Sequence, residues 1–94
     1  MNKLQRLKNG ETFITSEKGN SMTPLIKSGQ QHIVAPIELS KCKVGDIVVC
    51  KVRARMYTHL VKAIDKNKGV LIANNKGRIN GWTKQVYGIV IEVL

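Results

Sequence analysis

The alternation of apolar and polar positions along the chain predicts a protein built mainly from β-strands. The clearest alternation lies at the C-terminus, where every second residue from Tyr87 to Val93 is apolar or aromatic, as expected for a strand with one buried face. Other β-prone runs end at turn signals and occupy residues 11–16, 32–35, 47–57, 58–64 and 70–73. Short strands with tight turns and little helix indicate a small, coiled, barrel-like antiparallel sheet.

The run from Ile47 to Tyr57 predicts a hairpin. One parity of this run is apolar and includes Val48, Cys50 and Val52, whereas the other parity includes Lys51, Arg53 and Arg55. We expect one face to be buried and the other to be solvated and basic. A turn near Arg53 to Arg55 would divide the run into two strands.

Helix signals are confined to two short segments. Residues 1–10 predict an N-terminal arm or short polar helix that ends at Gly10, and residues 11–94 predict a single β domain. After Ser21, Pro24 suits the first turn of a helix and Gly29 suits its end. We therefore expect one or two helical turns directly after Ser21.

Composition supports one modest core without metals, cofactors or disulfides. Of 94 residues, 43% are hydrophobic, which is enough for a single domain of this size. Cys42 and Cys50 are too few for a disulfide framework and form no metal-ligand cluster, so we expect both to be buried as small apolar residues. No stretch approaches the ~20 apolar residues of a membrane span, and we expect a reduced, cytoplasmic protein.

The chain is strongly basic. Sixteen Lys and Arg against six Asp and Glu give a formal charge of +10, which would attract nucleic acid, acidic proteins or anionic surfaces. The basic residues are spread along the chain, so a solvated basic surface explains them as well as a dedicated site does. The candidate contacts to an anionic partner are Lys51, Arg53, Arg55, Lys76, Arg78 and Trp82.

Ser21 is the first candidate for chemistry. It follows a predicted strand in residues 19–24, which read G-N-S-M-T-P. A serine at a sharp turn can present its hydroxyl freely, with the backbone N–H groups of Ser21 or Met22 available to an oxyanion. The same position would also suit a serine that caps a helix. The segment resembles the G-x-S-M-x-P nucleophile box of the signal-peptidase and LexA-like serine peptidases.

The resemblance continues downstream and covers residues 11–94. Residues 44–49, V-G-D-I-V-V, resemble the clan's entry to its central strand. The clan places a lysine or a histidine base on the next strand, which implies His59 as general base for Ser21, with Lys62 in reserve. A neutral imidazole is suited to that role. His32 is interpreted as an ordinary surface or satisfied histidine.

The chain also departs from this clan. Histidine-type signal peptidases orient their base with an aspartate from a loop before the last strand, whereas residues 74–82 contain no carboxylate. An asparagine such as Asn74 or Asn75 would have to take that place, and it cannot stabilise an imidazolium by charge. We expect weak or lost activity, and with 20 residues before Ser21 and no Ala-Gly or Cys-Gly bond among them, we expect no self-cleavage.

Two functions are consistent with these features. The first is a minimal, phage-type serine endopeptidase without a membrane anchor, acting on an extended peptide with Ser21 as nucleophile and His59 as base. The second is a catalytically inactive binding or inhibitor protein that uses the same fold and a basic face to bind a host protein or nucleic acid. The sequence indicates neither a substrate nor an oligomeric state.

Overall fold

A single antiparallel sheet of seven strands dominates the computed structural model, which describes residues 2–94. The spatial order is β1-β2-β7-β3-β4-β5-β6. The strands are β1 Phe13–Thr15, β2 His32–Pro36, β3 Ile47–Val52, β4 Arg55–Asp65, β5 Gly69–Ala73, β6 Ile79–Thr83 and β7 Gln85–Val93. The mainly β fold predicted from the sequence is confirmed, and helix is limited to α1 Lys3–Lys8 and one 3₁₀ turn, Leu39–Lys41.

The hairpin predicted between residues 47 and 64 is present. β3 and β4 pair in antiparallel register from Ile47 opposite Leu60 to Val52 opposite Arg55. The connecting residues are Arg53 and Ala54, with φ of 50° and 70°. Positive φ at both central positions gives the tight two-residue turn whose twist matches that of paired strands.

The sheet curls, because strands that are not neighbours in its order make contact. The Thr83 hydroxyl of β6 donates to the Lys51 carbonyl of β3 at 2.5 Å. The α-carbon of Gly81 lies against Val52, so that an added Cβ would lie 3.3 Å from the Val52 side chain. Strands β3 to β6 are thereby rolled into a barrel-like half, as the coiled sheet predicted from the sequence requires.

Apolar residues are buried on both faces of the central strand β3, which corrects the expectation of one wet face. Val48, Cys50 and Val52 belong to one buried cluster. Val49, on the opposite face, packs with Leu4 and Leu7 of α1 in another. The prediction of a solvated face was wrong because helix α1 covers the face of β3 that an isolated hairpin would leave in solvent. The basic residues of the run lie near the β3–β4 turn instead.

Helix α1 begins at a capping box. The Asn2 side chain accepts the Gln5 N–H at 2.9 Å, and the Gln5 side chain accepts the Asn2 N–H, which satisfies donors that a helix start leaves unpaired. The sequence left either an arm or a short helix open for residues 1–10, and the structure has the helix over Lys3–Lys8. No helix within residues 2–94 is long and apolar enough to cross a bilayer.

The segment after Ser21, where one or two helical turns were expected, makes a single hydrogen-bonded turn and no regular helix. Residues 21–26 adopt turns, and one helix-type hydrogen bond, from the Ile26 N–H to the Met22 carbonyl, is present. The next donors are taken elsewhere: the Lys27 N–H bonds to the Gln30 side chain, and the Gly29 N–H bonds to the Glu17 carbonyl. These competing acceptors stop the helix at a single turn.

Candidate active site

Ser21 lies in a turn, with its hydroxyl against the ring of His59. The chain leaves edge strand β1 at Thr15 and reaches the exposed Ser21 after a short connection. The Asn75 N–H donates to the Ser21 carbonyl at 2.9 Å, which fixes the serine backbone from the other side of the site. The Ser21 Oγ lies 3.1 Å from His59 Nε2, within hydrogen-bond distance for a nucleophile and its base.

His59 is held in one orientation by its second nitrogen. It lies on β4 opposite Val48 and is 8% exposed. Its Nδ1 is 2.7 Å from the Asn80 Oδ1. Because an amide oxygen only accepts, Nδ1 carries the proton, and Nε2 keeps a lone pair for the Ser21 hydroxyl. The ring also lies 5.0 Å, centroid to centroid, from that of Tyr57.

Asn80 on β6, rather than Asn74 or Asn75, contacts the histidine. The Asn74 Oδ1 accepts the N–H groups of Lys76 and Arg78, both at 2.9 Å, so it shapes its own loop. The Asn75 side chain donates to the Thr23 carbonyl at 2.9 Å and so joins that loop to the turn of the serine.

Sequence reasoning missed Asn80 because its position depends on strand pairing. The β5–β6 register shifts between Ile72 and Ala73, and a shift of this kind changes which β6 side chains face the site. Asn80 also lies in β6, Ile79–Thr83, most of which the sequence analysis assigned to a polar loop, so no strand pattern pointed to it.

Lys62, the reserve base, is exposed on β4, while the Ser21 hydroxyl is hydrogen-bonded to the imidazole of His59. In a regular strand, residues three positions apart, such as His59 and Lys62, lie on opposite faces. The pairing of β4 with β5 shifts at Lys62, between Val61 and Ala63. His59, and not Lys62, is therefore the basic side chain hydrogen-bonded to the Ser21 hydroxyl.

Two backbone donors next to the nucleophile are unoccupied. Within residues 2–94, the N–H groups of Ser21 and Met22 donate to no acceptor, whereas the N–H of Thr23 bonds to the Asn20 carbonyl. The Met22 side chain is buried with Ile26 and Leu60, which anchors the turn in the core. The turn thus has an anchored backbone and two free N–H donors beside the Ser21 hydroxyl.

A small cleft of about 110 Å³ opens beside the Ser21 hydroxyl. Its apolar lining comes from Met22, Ile26 and Met56, and its polar lining includes Thr58 and Glu17. The size suits a small side chain. Ser21 and His59 also line the cleft, so a bound group would lie beside both side chains.

Glu17 is a charged anchor in the wall of this cleft. Burial raises its pKa, but the hydroxyl of Thr58 and the Lys3 ammonium at 3.0 Å outweigh burial and hold the pKa below its usual value. The carboxylate therefore links α1, the connection before Ser21 and strand β4. Its contact with Thr58 lies one residue from His59.

His32 lies inside the protein, not at the surface. It is 0% exposed, and its Nδ1 is 3.1 Å from the Gln30 carbonyl, to which it donates. Its Nε2 has no hydrogen-bond partner within residues 2–94 and is 3.9 Å from the Glu17 carboxylate. His32 contributes to the cleft wall but is separate from the Ser21 and His59 pair.

Four of the six candidate contacts for an anionic partner lie in two exposed segments. Lys76 and Arg78 are exposed on the β5–β6 loop, whose Asn75 contacts Ser21. Arg53 and Arg55 are exposed at the β3–β4 turn. Lys51 is only half-exposed in β3. Trp82 is 37% exposed on β6, where the Lys68 ammonium lies 5.4 Å from its ring centroid, so one face of the indole is already in contact with a cation.

A serine hydroxyl, an imidazole and an amide in hydrogen-bonded series on a coiled β-sheet define a serine-peptidase-like protein. Residues 2–84 match the family model described as Peptidase S24-like, and the chain belongs to this family of LexA-like and signal-peptidase-like serine peptidases. No curated protein and no solved structure matches the chain.

Proposed function

We propose that this protein is a serine endopeptidase that cuts an extended peptide, with Ser21 as nucleophile and His59 as general base. The observation that carries the proposal is the 3.1 Å separation of the Ser21 Oγ and the His59 Nε2. The tautomer of the ring supports the proposal. The Nδ1–H of His59 donates a hydrogen bond to the Asn80 Oδ1, so Nε2 can accept the proton of the Ser21 hydroxyl.

The reaction follows from this arrangement. His59 Nε2 takes the proton as the Ser21 Oγ bonds to the scissile carbonyl carbon. The resulting imidazolium gives that proton to the leaving amine nitrogen as the carbon–nitrogen bond breaks. Water then attacks the acyl-enzyme, again with His59 as base, and the Ser21 hydroxyl is restored.

The oxyanion would be stabilised by the turn around the nucleophile. The N–H groups of Ser21 and Met22, which donate to no acceptor within residues 2–94, are the candidate donors, and donors fixed before the reaction stabilise developing charge without reorganisation. The buried Met22 side chain holds these groups in place.

The surroundings suit an extended peptide with a small residue at the cleft. Ser21 follows β1, an edge strand of the sheet, and an extended peptide can pair with the free edge of such a strand. A cleft of about 110 Å³ admits a small side chain next to the serine.

A non-catalytic binding protein is the second candidate, and one observation favours it. The residue that orients His59 is an amide, Asn80, which offers no negative charge to the imidazolium formed during catalysis. Slow turnover is therefore expected, and complete loss would leave a binding protein with the same fold.

Covalent labelling of Ser21 separates these candidates. We would treat the wild type, Ser21→Ala and His59→Ala with a fluorescent phosphonate and locate the adduct by peptide mass spectrometry. We expect labelling at Ser21 in the wild type, and labelling slower by about 100-fold or more in His59→Ala. Thermal melting would establish that each variant is folded.

The outcomes have distinct meanings. An adduct on Ser21 that depends on His59 supports the peptidase. If the folded wild type is not labelled, or is labelled equally without His59, the catalytic proposal is wrong and the non-catalytic alternative stands. Labelling at Ser16 or Ser28 instead of Ser21 would also contradict it.

A further inference from the structure

Exposed cationic side chains lie in the cleft and in neighbouring segments of the chain. We call six of these residues the basic rim. They come from three places: the cleft, the β3–β4 turn and the β5–β6 loop. Lys18 and Lys27 line the cleft itself, and Arg55 precedes Met56, which also lines it. The members of the basic rim, all exposed, are Lys18, Lys27, Arg53, Arg55, Lys76 and Arg78.

No carboxylate neutralises this rim. Glu17 is the only carboxylate that lines the cleft, and it is bonded to Lys3 and Thr58. Elsewhere, Asp46 accepts the N–H of Lys43 and Asp65 accepts those of Asn67 and Lys68, each in its own turn. Within residues 2–94, no member of the rim takes part in an ion pair.

Hydrogen bonds and a tight turn hold the backbone segments that carry several of these cations. Asn74 binds the N–H groups of both Lys76 and Arg78, and the neighbouring Asn75 N–H binds the Ser21 carbonyl. Arg53 occupies the tight β3–β4 turn. An anionic ligand would therefore order only the ends of these side chains, so that little conformational entropy is lost when it binds.

We infer that the site selects peptides with acidic residues on both sides of the scissile bond. This inference rests on the proposed peptidase function, because it assigns a substrate class to the same site. Each exposed ion pair is expected to change affinity by roughly 1.5- to 5-fold. Two or three such pairs would favour an acidic peptide over a neutral one by about tenfold, and the preference would weaken with salt.

The surroundings favour a peptide over single-stranded nucleic acid. Proteins that bind single strands combine cations with aromatic rings on which bases stack. Among the residues that line the cleft, Tyr57 is the one Phe, Tyr or Trp, and its ring is half-buried against His59.

Peptide binding to Ser21→Ala protein tests this inference without turnover. Three fluorescein-labelled peptides of about 12 residues would share an Ala-Ala centre and carry flanks of Glu, Gln or Lys. Anisotropy would be measured at about 50 mM and about 300 mM NaCl. A labelled single-stranded oligonucleotide of similar length would be measured alongside.

Two double variants separate local charge from net charge. Lys76→Glu with Arg78→Glu removes part of the rim, and both side chains are exposed, with the loop held by backbone contacts. Lys43→Glu with Lys66→Glu, also exposed, makes the same change in net charge outside the rim. In wild-type protein, each peptide would also compete with phosphonate labelling of Ser21.

We expect the Glu peptide to bind about tenfold more tightly than the Gln peptide at low salt, and to slow Ser21 labelling. The rim variant should abolish this preference, and the control variant should retain it. Equal binding of the Glu and Gln peptides, equal loss in both variants, or tighter binding of the oligonucleotide would overturn the inference. If wild-type Ser21 is not labelled at all, the peptidase proposal is wrong, and the inference of acidic substrates is wrong with it. If Ser21 is labelled normally but the Glu peptide is not preferred, only the inference is wrong.

Discussion

The Asn75 backbone N–H donates to the Ser21 carbonyl at 2.9 Å, while the Asn75 side chain donates to the Thr23 carbonyl at 2.9 Å. One asparagine of the β5–β6 loop thus holds the backbone on both sides of Met22. The orientation of the serine hydroxyl depends on a loop that is remote from it in sequence.

Replacing the Asn75 side chain should loosen the nucleophile more than it destabilises the fold. In Asn75→Ala the backbone bond to Ser21 remains, but the Thr23 carbonyl loses its donor. We expect a loss of about 1 kcal/mol in the free energy of unfolding and several-fold slower phosphonate labelling of Ser21. Urea denaturation and labelling kinetics measure the two effects, and an unchanged labelling rate would contradict the positioning role.

A carboxylate in place of the Asn80 amide should strengthen the candidate dyad. In Asn80→Asp the negative charge would stabilise the imidazolium that forms when His59 takes the serine proton, so Ser21 labelling should accelerate by about tenfold or more. Asn80→Ala removes the partner of Nδ1 and should slow it. The order of rates Asn80→Asp, wild type, Asn80→Ala is the expected result, and a rate in Asn80→Asp below that of wild type would refute this interpretation.

Glu17 should make the protein acid-sensitive. Its pKa is held below the usual value, as described above, so its stabilisation is present above the pKa of the unfolded chain and is lost as pH falls through the lower, folded value. Glu17→Gln should cost roughly 1 kcal/mol near neutral pH, since the carboxylate is partly exposed, and stability should then fall less steeply between about pH 5 and about pH 2. Urea denaturation across pH, with Glu92→Gln as the exposed control, tests this.

Gly69 should tolerate no side chain. Its φ is +92°, and an added Cβ would lie 2.2 Å from the Thr83 carbonyl oxygen on the neighbouring strand. Gly45 has a similar φ of +97° but open space around the same position. Gly45→Ala should therefore cost about 1 kcal/mol from backbone strain alone, and Gly69→Ala at least about 2 kcal/mol more because β5 and β6 must separate. Equal losses in the two variants would show that the contact is relieved easily.

The two free cysteines should be unreactive in the folded protein. Burial, with a smaller contribution from Cys42, raises the pKa of Cys50 to about 12, and burial also raises that of Cys42. Because the thiolate is the nucleophile, a disulfide reagent near neutral pH should modify both only at the rate of unfolding. Fast reaction of Cys50 in the native protein would contradict its placement in the core.

Much of the fold could be predicted from local patterns, because strand alternation and turn residues act over a few positions. The β3–β4 turn at Arg53 and Ala54 is an example. Burial of Val49 could not be predicted in this way, because it depends on where α1 packs. The turn after Ser21 likewise depends on Glu17 and Gln30 as competing acceptors.

The candidate site shows the same division between local motif and tertiary placement. The motif around Ser21 and the run around His59 predicted which two residues would pair, and the structure brings them together. Identifying Asn80 as the partner of His59 requires knowing how β6 pairs with β5, and the sequence of the loop does not reveal that register. Asn74 and Asn75, the asparagines named from the sequence, instead shape the loop and hold the serine turn.

The strand order has a consequence for when the site can exist. Ser21 follows β1 at one edge of the sheet, His59 lies on β4 and Asn80 on β6 at the other edge. The three side chains converge only after the whole sheet has paired and curled. A nascent or partly unfolded chain therefore holds no assembled dyad with its orienting amide, and chemistry at Ser21 would report that folding is complete.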